Sequence, residues 1–120
     1  MTSTDPSAGY RVLLVEDEYF LAQEMAEVFE SRGAEVVGPV PSVEEALDLI
    51  TATARLDGAV LDINLQGEMA YTVADALEAR GVPFVFATGY DQETIPKRYA
   101  RAQFFGKPLV AAQVAEALLA

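Results

Sequence analysis

The feature that most restricts this sequence is an alternation: short apolar runs take turns with stretches of helical periodicity. The first run, Val12–Val15 (VLLV), stops abruptly at Glu16-Asp17-Glu18. Apolarity without a polar face marks a strand covered on both sides, as in a parallel sheet. Leu21, Met25, Val28 and Phe29 then recur at i, i+4, i+7 and i+8 among acids, which predicts a helix stopped by Gly33. Glu35–Val40 (EVVGPV) is a weaker strand whose Gly38 and Pro39 suit a sheet edge. Ser42 and Glu45 form a capping pair for a second helix, with Val43, Ala46, Leu47 and Ile50 on its apolar face.

The pattern continues to the end of the chain. Ala59–Ile63 (AVLDI) is a third strand with one acid, Asp62, near its end. A helix with Ala70, Val73, Ala74 and Leu77 inward ends at Gly81. Val82–Ala87 (VPFVFA) stops at Thr88-Gly89, and Ala102–Phe105 stops at Gly106-Lys107-Pro108. A last helix carries Val110, Val114, Ala117 and Leu118. Five strands alternating with helices predict an α/β fold: a parallel sheet with right-handed crossovers and helices on both faces.

One connection breaks the rule. Between Tyr90 and Arg101, Pro96 would disrupt a helix begun at Asp91, at a cost of about 3 kcal/mol. Ile95 and Tyr99 alone offer little apolar face. The expectation is a loop, or one or two helical turns from Pro96, more mobile than its surroundings. Residues 1–9 are polar and read as a flexible tail, leaving one domain over residues 10–120.

What the chain lacks narrows its chemistry. Its 120 residues include no Cys and no His. That excludes disulfides, thiolate nucleophiles, serine triads, imidazole acid–base catalysis and the common zinc sites. Eight cations against 19 acids give a net charge of −11, which argues against direct DNA binding, because phosphate contacts need clustered cations. No run is long enough for membrane insertion, and the N-terminus lacks the cationic start and apolar core of a signal peptide. A cytoplasmic protein is the expectation.

In open α/β sheets, sites form at the carboxyl ends of the strands. Four of the five ends carry compatible groups: Glu16 and Asp17, then Asp62, then Thr88, then Lys107. Taken singly, each has a plain structural reading. Asp17 caps a helix, Thr88 ends a strand, and Lys107 is a solvated turn residue. Their coincidence at one sheet edge points to a site instead. Carboxylates about 4 Å apart repel by on the order of 4 kcal/mol per pair at an effective dielectric of about 20. A cation or a proton must therefore relieve the cluster, and an all-oxygen ligand set suits Mg²⁺.

Together, Val15-Glu16-Asp17, Leu61-Asp62-Ile63-Asn64, Ala87-Thr88-Gly89 and Gly106-Lys107-Pro108 resemble the receiver domain of bacterial two-component response regulators. The run Pro83–Tyr90 (PFVFATGY) is similar to the "FAT GUY" subgroup of stand-alone alphaproteobacterial receivers, as is the segment around Gly67–Tyr71. The resemblance implies a flavodoxin-like (βα)5 fold with strand order 2-1-3-4-5 and a short or mobile fourth helix. It implies Asp62 as the acceptor of a phosphoryl group from a histidine kinase or phosphotransfer protein. Mg²⁺ would be bound by Glu16, Asp17, Asp62 and the backbone carbonyl of Asn64. Thr88 and Lys107 would contact the phosphoryl oxygens. Two positions depart from the usual pattern. Glu16 replaces an Asp, and Phe104 stands where receivers usually carry a switch aromatic; lacking a hydroxyl, it is either a purely steric partner of Thr88 or a plain core residue.

The implied function is a signalling module that switches the binding of a downstream protein partner, not an enzyme. The alternative is a small metal-dependent phosphotransferase or phosphatase with an aspartyl-phosphate intermediate, although that chemistry ordinarily places its D-x-D motif on the first strand. A flavodoxin-like binding module without phosphorylation fits less well, since such modules need a phosphate-binding loop after the first strand, where this chain has acids that would repel an anionic ligand. Charge is segregated as well. Glu16–Glu30 holds six acids and no cation, whereas Thr94–Ala115 holds Lys97, Arg98, Arg101 and Lys107 and no acid. Such segregation suits two solvated faces, or two differently charged partners.

Overall fold

The computed structural model describes residues 9–119. The expected tail, Gly9 apart, lies outside them. Five strands form one parallel sheet: β1 (Arg11–Val15), β2 (Glu35–Val40), β3 (Gly58–Leu61), β6 (Phe84–Thr88) and β7 (Gln103–Gly106). Their order is β2-β1-β3-β6-β7, so the sequence reverses direction across the sheet between β1 and β3. This is the expected 2-1-3-4-5 order, with EVVGPV at one edge. A separate antiparallel hairpin, β4 (Asn64–Leu65) and β5 (Glu68–Met69), follows β3 and has no counterpart in the sequence-based expectation.

Each central strand is apolar on both faces because each face is covered. The helices are α1 (Tyr19–Ser31), α2 (Val43–Ala52), α3 (Tyr71–Ala79) and α4 (Ala111–Leu119). α1 packs with α4, and α2 packs with α3. Val12 and Leu14 face the first pair with Met25, Phe29 and Val114. Leu13 and Val15 face the second with Ala46, Ile50, Val73 and Leu77. Leu13, Leu14, Leu61 and Phe86 are almost wholly inaccessible, each contributing about 2 kcal/mol of apolar burial.

Local signals act where the sequence places them. Ser42 caps α2, its Oγ accepting from the Glu45 N–H at 3.2 Å while its hydroxyl donates to Glu45 Oε2 at 2.9 Å. Gly33, just beyond α1, takes the left-handed φ of +85° that ends a helix. Arg80, past the end of α3, caps α2 from outside. Its guanidinium donates to the carbonyls of Ile50, Thr53 and Ala54.

Residues 91–101 form no α-helix. They make two 3-10 turns, Gln92–Thr94 and Lys97–Tyr99, separated by Ile95 and Pro96. The turn from Pro96 is as expected; the earlier one, capped by Asp91, is additional. Tyr99, expected to add little apolar face, is instead only 3% exposed and belongs to the core. Its ring stacks on Tyr71 (5.5 Å between centroids, 11° between planes) and meets Phe86 edge-on at 5.9 Å. Its hydroxyl, which has one proton to give, donates to Asp75 with the Tyr71 carbonyl 3.2 Å away, and accepts from the Arg98 guanidinium. Arg98 covers the ring at 4.6 Å from the centroid. One aromatic thus anchors a segment that has no amphipathic helix to bury.

Candidate functional site

Parallel pairing is what assembles the acids. Val15 pairs with Leu61, so Glu16 and Asp62, each one residue further on, emerge side by side. The ladder extends one step past the strand ends: Asp62 N–H donates to the Val15 carbonyl at 3.0 Å, and Glu16 N–H to the Val40 carbonyl at 3.0 Å. On the far side, Thr88 pairs with Gly106, and the Lys107 N–H donates to the Thr88 carbonyl at 3.0 Å. Glu16 and Asp62 are buried, and Asp17 is half-buried. Carboxylate oxygens of these three lie within 4.8 Å of one another.

Lys107 supplies the cation that the cluster demands. Its Nζ donates to Asp62 Oδ2 at 2.9 Å and Glu16 Oε1 at 3.0 Å, and lies 3.5 Å from Glu18 Oε2. Burial works against its charge, but the bonds to Asp62 and Glu16 outweigh that and hold its pKa above the ordinary lysine value. The carboxyl of Glu16 is pushed up to about 7, by burial first and by the neighbouring Asp62 charge second. Lys107 and the Glu18 N–H, which donates to Glu16 Oε1 at 3.0 Å, act in the other direction. The repulsion expected among three bare carboxylates is therefore already reduced by the protein's own lysine.

Asp17 is held differently. It does not cap α1, whose N-cap is Glu18 without a side-chain bond. Its Oδ2 instead accepts from the Gln66 N–H at 2.9 Å, across 49 residues of sequence. Asn64 opens the hairpin; its N–H points at Asp62 Oδ1 at 3.4 Å, and its side-chain oxygen accepts from the Gly67 N–H at 2.9 Å. Thr88 ends β6 at the same sheet edge but is fully buried, its Oγ1 accepting from the Tyr90 N–H at 3.3 Å. Among the described residues, no hydrogen bond joins the Thr88 side chain to the acids or to Lys107. Phe104 is half-buried and lines a cavity of about 240 Å³ with Phe86, Ile95, Pro96 and Tyr99 beneath the 91–101 segment.

Two participants escaped the sequence reading. Glu18 belongs to the acidic run but looked like an ordinary helix start; Gln66 sits in a two-residue Gln-Gly turn, a weak hairpin signal. A pocket of about 280 Å³ opens beside the cluster, lined by Glu16, Asp17, Tyr19, Gln23 and Pro39 among others. The donors fit a hard divalent ion: three carboxylates converge, and none of the described ligand atoms is soft. No helix of the described residues is long and apolar enough to cross a membrane.

Comparison with known proteins places this geometry. Residues 12–118 match the model of the response regulator receiver domain. The chain is 36% identical to SdrG from Sphingomonas melonis Fr1, whose solution structure matches with a TM-score of 0.77 over 92% of this chain and 97% of that one. The BeF3-activated conformation of SdrG from Pseudomonas melonis Fr1 matches at 38% identity and a TM-score of 0.74, over 93% and 95% of the two chains. Transcriptional regulatory protein PdtaR from Mycobacterium tuberculosis is 26% identical over 98 residues, 81% of this chain and 47% of that protein. The chain thus spans about half the length of the curated relatives it matches. With the family model spanning nearly the whole chain and the fold agreeing, this protein belongs to the response regulator receiver domains of two-component signalling.

Proposed function

We propose that this receiver is controlled by phosphorylation of Asp62, and that the modification switches its binding to a downstream protein. The observation that carries the reading is the placement of Asp62: buried, beside two further carboxylates, and bonded to a half-buried lysine. A carboxylate oxygen of Asp62 attacks phosphorus; an O–P bond forms, and the P–N bond to the donor imidazole breaks, its electron pair staying on nitrogen. Glu16, Asp17, Asp62 and the Asn64 carbonyl would hold Mg²⁺, which when bound neutralises the charge gathering on acceptor and phosphoryl oxygens. Lys107 is in reach of Asp62 Oδ2 and would follow the charge outward to a phosphoryl oxygen. Thr88 would turn its hydroxyl from Tyr90 toward the same group.

The activated conformation of SdrG, formed with the phosphoryl mimic BeF3, supports the reading by similarity. Upstream, the donor would be a sensor histidine kinase or a phosphotransfer protein, since this chain has no His of its own. The reading includes no direct contact with DNA and no membrane insertion, and it places the protein in the cytoplasm as a signalling module. Incubation with acetyl phosphate and Mg²⁺ tests it. The expected result is an acid-stable, base-labile adduct that Asp62→Asn abolishes. The same adduct on the Asn variant would refute the assignment.

A further inference from the structure

Of the three clustered acids, Asp17 is the one that Lys107 does not hold. Glu16 and Asp62 are fixed by the ammonium, and Glu16 also by the Glu18 N–H. Among the described residues, the one hydrogen bond to the Asp17 side chain comes from Gln66 N–H, at the tip of the β4–β5 hairpin. That tip is tightly specified. Gln66 (φ +55°) and Gly67 (φ +89°) both take left-handed backbone, as a two-residue hairpin turn of the I′ type requires. Gln66 is the only non-glycine among the described residues with a positive φ. The pairing of Asn64 with Met69 and Leu65 with Glu68, and the Asn64 side chain on the Gly67 N–H, keep the turn closed.

We infer that the β4–β5 hairpin is a positioning element for the metal site: its turn aims the Gln66 N–H at Asp17 and so presents the other oxygen of that carboxylate toward Glu16 and Asp62. The inference rests on the proposed Mg²⁺ binding by these acids. Partners one bond removed from a ligand typically change metal affinity by roughly 10-fold or more when lost. Gly67 is the lever, since an added Cβ would meet nothing within 4 Å there and a substitution acts only through the backbone. Valine resists positive φ strongly, whereas asparagine tolerates it.

Calorimetric titration of the full chain with MgCl₂ tests this. Gly67→Val is expected to weaken Mg²⁺ binding roughly 10-fold, and Gly67→Asn to restore it to near the wild-type value. Equal affinity in wild type and Gly67→Val would overturn the positioning role while leaving the metal reading intact. No Mg²⁺ uptake by the wild type would overturn both. Should Gly67→Val fail to fold, the amide resonance of Gln66 in metal-free protein decides: Asp17→Asn is expected to shift it upfield and speed its exchange. An unchanged resonance would show that the tie does not exist and end the inference.

Discussion

The ammonium of Lys107 stands 2.9 Å from Oδ2 of Asp62, and the residue that sequence reasoning assigned to a phosphoryl group is already engaged with its acceptor. Removing the lysine leaves Glu16 and Asp62 facing each other without a counter-charge. Lys107→Ala should cost roughly 2 kcal/mol in metal-free buffer, as expected when one partner of a largely buried pair is lost. It should also tighten Mg²⁺ binding, because no resident cation then competes for the same oxygens. Urea melts with and without Mg²⁺ check both.

Asp62→Asn removes a repulsion and an attraction together. It relieves Glu16 but also breaks the bond to Lys107. The bare-carboxylate picture predicts a clear rise in melting temperature; the ion pair predicts near cancellation. The metal-free midpoint should stay within about 4 °C of wild type, about 1 kcal/mol for a domain of this size. Differential scanning calorimetry in EDTA reads it directly.

Tyr99 should govern the 91–101 segment. Tyr99→Ala should cost about 3–5 kcal/mol, the usual range for a buried aromatic. In the wild type, amides of 92–95 and 97 should exchange faster than those of α1, whereas Ala102, whose N–H donates to the Tyr99 carbonyl at 2.9 Å, should exchange slowly. Hydrogen exchange followed residue by residue separates the two groups.

Alkaline pH should loosen the fold. The phenols of Tyr10 and Tyr99 are pushed up to about 12, by burial first, with Asp57 adding for Tyr10 and the bond to Asp75 for Tyr99. An unfolded tyrosine ionises near pH 10. Between those values the unfolded chain has lost protons that the native state keeps. The stabilisation is fully present below about pH 10 and is lost as pH rises through about 12. Tyr99→Phe should make the decline in the urea midpoint shallower over that range.

Arg80→Ala should shorten α2. The three carbonyls that it satisfies belong to the end of that helix and the residues after it. A loss of about 2 kcal/mol is expected, and Arg80→Lys should recover only part, since an ammonium cannot reproduce the guanidinium fork. Denaturant midpoints of the two variants test the difference.

Much of this architecture was legible because its signals are local. Val12–Val15 and Ala59–Ile63 announce buried strands, and the acids immediately after them fall where a parallel register must bring them together. The hairpin was not legible: Asn64-Leu65 and Glu68-Met69 are too short to show a period, and Gln-Gly is not the Asn-Gly that flags a two-residue turn. Tyr99 was undervalued because periodicity counts apolar positions on one helix. A single ring set against Tyr71 and Phe86 needs no helix at all. That Lys107 would neutralise the acids itself depends on a contact spanning 91 residues, which no local pattern reports.

The pairing of Thr88 with Gly106 also dictates where this chain can change length. Side chains alternate faces along a strand, so one residue inserted within Gln103–Gly106 would shift the following register and turn Lys107 away from Asp62. Loop closure grows costlier only slowly with length, and residues 92–97 bear no site group, so added residues there leave the ammonium in place. Tolerance to insertion should therefore be sharply uneven over a stretch of fewer than 20 residues: permissive before Tyr99, and nearly absent between Gln103 and Lys107.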